Sequence, residues 1–350
     1  MFDEIRQLYA NLLQQPKLGK DYCVVFVYNS KNCIRDRIHA SECVDSEERS
    51  MIIESFRKSA EYVYSIDGEI AFQNQIPELK KQHRHILIYS MAQDLDGVGR
   101  RSLVPLLCDY YNLTNLNAQF LPSTLGGSKS LMQALLEKTE SVPFPKTVYI
   151  NTQEDIEYFI RNNTEKVCIL KPNDESASIG VEVVDFSAHT NGEIKEILLS
   201  FHKRYPIFSI QQFIDGEEVE VSLFQFQGKY YCPGACQIVF KGSSKYLDYD
   251  TVALTNYNFK EYSNEIRYQL IEIGKLVAQR LGFGAICRID FRVRDNVGYV
   301  IDIGPNPTIS EYSSTNYIFR KYLFNDKTSV YRLLVYKSLI ENQLFKPSFN

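Results

Sequence analysis

Two short, almost wholly apolar runs, Cys23–Tyr28 and His85–Tyr89, constrain the fold of this chain more than any other feature. Runs of this length are typical of buried strands and are far too short to span a bilayer. Helical patterns separate and follow them: one helix is predicted to begin after Asp45, and another to cover Ser102–Tyr111. Strands that alternate with helices predict an α/β domain with a largely parallel sheet over about the first 120 residues.

The bulk properties describe an ordinary globular protein. A length of 350 residues predicts two or three packed subdomains. The net charge of −4 gives no electrostatic reason to expect a nucleic-acid or membrane partner. Eight scattered cysteines without a CxxC pair favour free thiols in a reducing compartment. The first residues show no basic segment followed by an apolar stretch, so we expect no signal peptide and a cytoplasmic location.

The first segment with chemical potential begins at Lys171 and runs Lys-Pro-Asn-Asp-Glu-Ser-Ala-Ser-Ile-Gly-Val to Val181. A lysine at the end of a strand, followed by a loop of small residues and a second strand, can fold over a polyphosphate. The lysine would supply a point charge, and the loop backbone would supply N–H donors. The alternative is a solvated hairpin with a lysine at a strand end.

The second segment, Gln211–Glu220, joins an apolar strand to an acidic alternating strand through a short Asp-Gly turn. Such a connector could hold a purine, with the backbone near Ile214 facing the base and a carboxylate accepting the ribose hydroxyls. The alternative is a half-exposed strand, which alternating Glu and Val usually indicate.

The third segment carries Arg288-Ile-Asp290 and then Asp302-Ile-Gly-Pro-Asn306-Pro. Carboxylates on neighbouring strands suit Mg²⁺ that bridges nucleotide phosphates, and an adjacent arginine can neutralise a transferring phosphoryl group. The alternative is a surface salt-bridge ladder. Asp290 and Asp302 are twelve residues apart, so a hairpin opposes them only with an odd connecting loop, such as a three-residue turn beginning at Asp295. A two-residue loop would require a bulge.

Together these segments resemble the ATP-grasp fold, and specifically the D-alanine–D-alanine ligase family, over about residues 125–315. The resemblance implies a mixed α/β (α+β ATP-grasp) architecture. An N-terminal parallel α/β domain (1–121) would be followed by two α+β subdomains (122–210 and 211–350) that sandwich ATP, the last of them with the metal site.

The resemblance also implies a role for each matching residue. The nucleotide would be held by Lys129, Lys171, Ser176, Ala177, Ser178, Gln211, Ile214 and Glu218. Magnesium, with manganese as the alternative ion, would be bound by Asp290, Asp302 and Asn306. Arg288 would stabilise phosphoryl transfer and the tetrahedral state, and Ser313 would receive the acceptor's carboxylate.

The implied function is an ATP-dependent ligase that joins small amino acids or peptides through an acyl phosphate. A homodimer is likewise an inference from the resemblance. Several positions depart from the family. Gly304 replaces an asparagine metal ligand, Thr308 a glycine, and Val252 a lysine, and the phosphate loop reads Glu-Ser-Ala-Ser instead of Glu-Gly-Ser-Ser. The family's amino-terminal substrate-binding segment is not recognisable in 28–42. A specialised ligase with other amino-acid substrates and a non-catalytic ATP-binding protein therefore stay open as alternatives.

Overall fold

The structure is a computed structural model that describes residues 2–31, 39, 42–93, 97–139, 141–242, 245–253, 256–324 and 326–344. Its helices are α1 (Phe2–Leu13), α2 (Ser46–Arg57), α3 (Glu69–Gln82), α4 (Leu103–Tyr111), α5 (Phe120–Leu125), α6 (Lys129–Leu136), α7 (Gln153–Asn162), α8 (Asn191–Arg204), α9 (Tyr249–Ala253), α10 (Arg267–Arg280), α11 (Ser314–Tyr322) and α12 (Ser329–Glu341). Its strands are β1 (Tyr22–Tyr28), β2 (Val63–Asp67), β3 (His85–Ser90), β4 (Thr114–Asn115), β5 (Thr147–Ile150), β6 (Val167–Pro172), β7 (Glu182–Asp185), β8 (Phe208–Gln212), β9 (Glu217–Phe226), β10 (Lys229–Tyr231), β11 (Ala235–Phe240), β12 (Tyr257–Glu261), β13 (Ile286–Arg294) and β14 (Val297–Gly304).

The first sheet has the parallel order β2-β1-β3-β4, as the two apolar runs predicted. Its central strand β1 is buried along nearly its whole length, because helices cover both faces. The carboxyl end of β3 contributes Tyr89 and Ser90 to the cavity described below.

The second and third sheets are antiparallel and form the two halves of a cleft. The second has the order β5-β8-β6-β7, and the third runs β12-β11-β9-β13-β14 with β10 beside β9. Strand β8 crosses the boundary that the sequence analysis set at 210–211, so this strand belongs wholly to the second sheet.

Helix α6 precedes the second sheet in the chain but packs on the core of the third. Met132 and Leu136 join a buried cluster with residues of β9, β13 and α10. At the other end of the chain, α12 packs against α1 and α2 of the N-terminal region. These two helices tie the three sheets together.

The hairpin of β13 and β14 differs from the simplest expectation. Its turn has only two residues, Asp295 and Asn296, both with left-handed backbone (φ 52° and 58°), as a tight hairpin turn requires. A bulge at Ile301 shifts the register between Asp290 and Phe291. The three-residue loop offered as an example was wrong, and the alternative, a two-residue loop with a bulge, is confirmed.

No helix among the described residues has the length and apolarity needed to cross a membrane.

Candidate functional site

A cavity of about 500 Å³ opens between the second and third sheets and reaches the end of the first sheet. Every residue that the sequence analysis assigned to the site lines this cavity. Glu42, Glu48 and Arg101, to which the sequence analysis gave no role, also line the cavity.

Two lysines converge on Asp302 at the floor of the cavity. Lys171 is 8% exposed, and burial lowers the pKa of its ammonium to about 8 although Asp302 opposes the shift. Its Nζ donates to the carbonyl oxygen of Ile301 at 3.0 Å, across the cleft. Lys129 donates to the carbonyl oxygen of Glu175. Burial alone would raise the pKa of Asp302, but Lys129 and Lys171 outweigh it and hold that pKa below its usual value.

The phosphate loop is fastened to the start of α6. The side chain of Asn173 accepts from the backbone of Ser130 at 3.0 Å and donates to Ser128 at 3.2 Å. Beyond it, Ala177 and Ser178 have left-handed backbone with φ of 50° and 57°. Successive residues in unusual turn conformations can aim several N–H groups at one anion, so this loop is suited to phosphate.

The connector to the third sheet places its polar side chains at the other end of the cavity. Gln211 donates from Nε2 to Thr147 at 3.0 Å, and Ile214 is buried beside it. Glu218 pairs with Arg292 at 2.6 Å, with both side chains almost wholly buried. Burial raises the pKa of Glu218 to about 6 even though Arg292 favours the charged form.

The bulge at Ile301 makes Asp290 and Asp302 directly opposed on β13 and β14, and therefore on one face. Burial raises the pKa of Asp290 to about 7, against the effect of Arg288. Arg288 donates to both oxygens of Asp290, at 2.7 and 2.8 Å. The opposed carboxylates and this arginine form the charged floor of the third sheet.

Asn306 and Ser313, which follow the hairpin in the chain, already form hydrogen bonds within the protein. Asn306 accepts from the Nδ2 of Asn117 at 2.8 Å, which ties it to the N-terminal region. To bind a metal through that oxygen, Asn306 would have to release Asn117. Ser313 caps α11: its hydroxyl accepts from the backbone of Asn316 at 3.1 Å and donates to the carbonyl oxygen of Ser310 at 2.9 Å.

A group of charged residues from the N-terminal region holds the phosphate loop, and the sequence analysis missed it. Arg100 and Arg101 each donate to the hydroxyl of Ser176 at 2.8 Å. Glu42 also contacts Ser176 and pairs with Arg100 at 3.0 Å. The adjacent arginines are visible in the sequence, but nothing local connects them with a loop 75 residues away.

Glu48 also lines the cavity, from the first turn of α2. Burial, helped by the nearby carboxylate of Asp45, raises its pKa to about 7. The sequence contained a usable signal, because Glu48 precedes the inward-facing Ile52 by four residues and so shares its helix face. Segment 28–42, where the substrate-binding residues were sought, lies partly outside the described residues.

A family model named "D-ala D-ala ligase C-terminus" matches residues 132–334, which is more than half of the chain. The chain belongs to the D-alanine–D-alanine ligase family. It is therefore an ATP-dependent ligase that forms carbon–nitrogen bonds on an ATP-grasp fold, which confirms the resemblance, the fold class and the enzyme class expected from the three segments.

Individual relatives of this ligase are distant. A D-alanine–D-alanine ligase of Pseudothermotoga lettingae is 23% identical over 267 residues, covering 75% of this chain and 83% of that protein. The structure of the Bacillus anthracis D-alanine–D-alanine ligase complexed with ATP has a TM-score of 0.64 at 15% identity, covering 94% of this chain and 99% of that one. The VanG D-Ala:D-Ser ligase of Enterococcus faecalis has a TM-score of 0.67 at 14% identity, covering 92% and 100%.

Proposed function

We propose that this ligase joins two small amino acids: ATP phosphorylates the carboxylate of the first, and the amine of the second attacks the resulting acyl phosphate. The amide bond forms as phosphate leaves. One observation carries the proposal: Lys171 of the second sheet and Lys129 at the start of α6 converge on Asp302, which lies directly opposite Asp290 on the third sheet. This arrangement can neutralise and align a polyphosphate beside a carboxylate, which is most of what phosphoryl transfer requires of a protein.

In this proposal the nucleotide lies along the cleft with its triphosphate toward Asp302. Lys129 and Lys171 neutralise the phosphates, and the loop 176–178 covers them with backbone N–H groups. Gln211 and the backbone of Ile214 face the adenine. Glu218 accepts the ribose hydroxyls and keeps its charge through the ion pair with Arg292.

Magnesium fits the donor set on the third sheet. Asp290 and Asp302 would hold it, and when bound it neutralises phosphate charge. Gly304 supplies no side-chain oxygen, and the described residues include no group of three His, Cys, Asp or Glu side chains that could hold a metal ion. Magnesium commonly keeps waters and phosphate oxygens in its shell, so two carboxylates suffice, with Asn306 as a further ligand if it releases Asn117. Manganese suits the same oxygen ligands.

Arg288 and the start of α11 serve the second half of the reaction. The guanidinium of Arg288 would stabilise the oxyanion of the tetrahedral intermediate, where negative charge develops. Ser313 and the N-terminus of α11 would receive the carboxylate of the acceptor amino acid, because backbone N–H groups at a helix start favour anions. Glu48 provides a half-buried carboxylate for an amino-acid ammonium group at the N-terminal end of the cavity.

The proposal is tested by supplying ATP and magnesium with single D- and L-amino acids and with pairs, and by measuring phosphate release and the mass of any product. We expect a dipeptide and stoichiometric phosphate with at least one pair. D-Alanine with itself is the first pair to test, and D-alanine with D-serine the second, since the names of the related proteins specify these pairs. A dipeptide from other amino acids would indicate the specialised ligase, and nucleotide binding without any phosphate release the non-catalytic alternative.

We further propose three domains, 1–121, 122–212 and 213–350, with the second boundary moved past β8 because this strand pairs only within the second sheet. A homodimer and a cytoplasmic location stay predictions. Light scattering of the purified protein tests the first, and fractionation of cells that express the chain tests the second.

A further inference from the structure

Arg288 lies between two buried carboxylates on the face of the third sheet. Asp290 follows it by two residues on β13, and Glu220 stands opposite Asp290 on the neighbouring strand β9. Both acidic side chains are more than nine-tenths buried and line the cavity. Burial works against the charge of Arg288, but Asp290 and Glu220 outweigh it and hold the pKa of the guanidinium above its usual value.

The two carboxylates share Arg288 unequally. Asp290 accepts from Nε at 2.7 Å and from Nη2 at 2.8 Å, so each of its oxygens has one N–H donor from Arg288. The Oε2 of Glu220 lies 3.4 Å from Nε and has no hydrogen bond of good geometry among the residues that the structure describes. The Ser314 side chain is its other polar neighbour, and it only partly offsets the burial that raises the pKa of Glu220. Glu220 is therefore a buried carboxylate with one poorly satisfied oxygen beside a cation that Asp290 binds more closely, an arrangement that is unfavourable unless some state of the protein uses it.

The proposed function creates a conflict at Asp290. Both of its oxygens bond to Arg288, yet the same carboxylate is assigned to magnesium. The bidentate guanidinium occupies one acceptor site on each oxygen of Asp290, and its positive charge repels a divalent cation on the same carboxylate, so the two cations compete for Asp290. When the metal binds Asp290, Arg288 needs another carboxylate within reach, and Glu220 is the nearest on this face.

We propose that Glu220 is a positioning residue that takes over Arg288 from Asp290 when magnesium and nucleotide bind. This inference rests on the proposed function. The guanidinium turns from one neighbouring carboxylate to the other, so that Asp290 is released for the metal and Arg288 stays over the reacting groups. Glu220 thus acts through Arg288 and does not touch the substrates.

The competing explanation makes Glu220 itself a metal ligand in place of the missing side chain at Gly304. The described residues contain no group of three acidic, histidine or cysteine side chains arranged to hold a metal, which argues against this explanation. The Nε of Arg288 also lies close to both carboxylates, 2.7 Å from Asp290 and 3.4 Å from Glu220. The two explanations differ in whether the effect of Glu220 on the metal requires Arg288.

The test is a double-mutant cycle on magnesium affinity, measured by calorimetry with ADP present so that no turnover is involved. Glu220→Gln should weaken magnesium binding about 10- to 100-fold, as loss of a supporting partner typically does. Arg288→Gln should instead tighten it, because the competitor for Asp290 is gone. In the Arg288→Gln background, Glu220→Gln should change the affinity by no more than about twofold. Glu220→Asp, which keeps the charge, should recover much of the loss.

Glu217→Gln is the matched control, since Glu217 lies on the same strand but is exposed and bonds to Gln237 and Tyr262 instead. It should leave magnesium affinity unchanged. An undiminished effect of Glu220→Gln in the Arg288→Gln background would show a direct metal ligand and overturn the inference, as would unchanged affinity in Glu220→Gln alone. If the unmodified protein showed no nucleotide-dependent magnesium binding, the proposed function itself would fail. Circular dichroism of each variant separates these outcomes from misfolding.

Discussion

The Nζ of Lys171, on the second sheet, donates to the carbonyl oxygen of Ile301, the bulged residue of the third sheet, at 3.0 Å. The bulge therefore does two things at once. It brings Asp302 opposite Asp290, and it places a backbone oxygen where it holds the lysine across the cleft. The lysine and the aspartates are positioned relative to one another by a single irregularity of β14.

Replacing Lys171 by alanine should weaken nucleotide binding by at least about tenfold, because the phosphates lose a buried positive charge that solvent screens poorly. The fold should survive, since the lysine is anchored by one hydrogen bond. Equilibrium binding of a fluorescent ATP analogue measures the effect. Lys166→Ala, an exposed lysine just before the same strand, is the control, and equal affinity in both variants would remove Lys171 from the phosphate site.

The lowered pKa of Lys171, about 8, predicts that nucleotide binding takes up a proton near that pH. Below pH 8 the ammonium is already charged. Near and above pH 8 part of it is neutral, and the phosphates restore the charge because they favour the cation. Calorimetry in buffers of different ionisation enthalpy should show uptake at pH 8.5 that is much smaller at pH 6.5 and absent in Lys171→Ala. No difference between buffers at either pH would contradict the assignment.

The lowered pKa of Lys171 also makes the free energy of unfolding of the nucleotide-free protein depend on pH. The folded state holds the proton of Lys171 less tightly than the unfolded chain does, so the unfolded state binds more protons between pH 8 and the usual lysine value. The contribution of this residue to the free energy of unfolding should therefore rise with pH through that window. Urea denaturation of the wild type and Lys171→Met at pH 7.5 and 9.5 isolates this contribution as the difference between their free energies of unfolding. A difference that does not change with pH would contradict the prediction.

The ion pair of Glu218 and Arg292 makes the ribose assignment testable. A charged carboxylate binds two hydroxyls better than one, so the wild type should prefer ATP over 2′-deoxy-ATP, and Glu218→Gln should lose much of that preference. The free energy of unfolding of the variant should also be lower by roughly 3 kcal/mol, because Arg292 keeps a buried charge without its partner. Glu217→Gln is the control for both measurements. A preference that survives in Glu218→Gln would place the ribose elsewhere.

Arg100 should hold the phosphate loop closed from the N-terminal domain. Its replacement by alanine removes bonds to Ser176 and Glu42, so backbone amides of residues 174–178 should exchange with deuterium several-fold faster. The KM for ATP should also rise in this variant, because the loop that covers the phosphates is less well ordered. Arg204→Ala is the control, because it breaks an exposed ion pair with Glu182 of the second sheet. It should change neither the exchange rates of these amides nor the KM for ATP. Unaltered exchange in Arg100→Ala would mean that the loop keeps its conformation without this contact.

The sequence predicted those parts of the site that lie within continuous segments. The phosphate loop after Lys171, the connector before Glu218 and the acidic hairpin each carry their residue types at spacings that a local pattern reveals. Even the opposition of Asp290 and Asp302 followed from counting residues, with the turn and the bulge left as alternatives. The choice between them depended on Asp295 and Asn296, which both adopt left-handed backbone and form a two-residue turn.

The contacts that the sequence did not reveal join segments far apart in the chain. Arg100 and Ser176 are separated by 76 positions, and Lys171 and Ile301 by 130. No periodicity relates such pairs, because they depend on how three sheets pack. Glu220 was missed for another reason: alternating Glu and Val is the usual pattern of a half-exposed strand, but here the glutamate face of β9 is buried against the cleft.

The central claim is that a carboxylate is activated as an acyl phosphate in this cleft. It is tested most directly by following oxygen from an amino acid labelled with ¹⁸O in its carboxylate. If ATP phosphorylates that carboxylate and an amine then displaces phosphate, one labelled oxygen must appear in the inorganic phosphate for each peptide bond formed. The measurement is the mass of the released phosphate, with Arg288→Gln, expected to abolish turnover, as the negative control. Phosphate that carries oxygen from solvent water and none from the amino acid would show simple ATP hydrolysis and contradict the account.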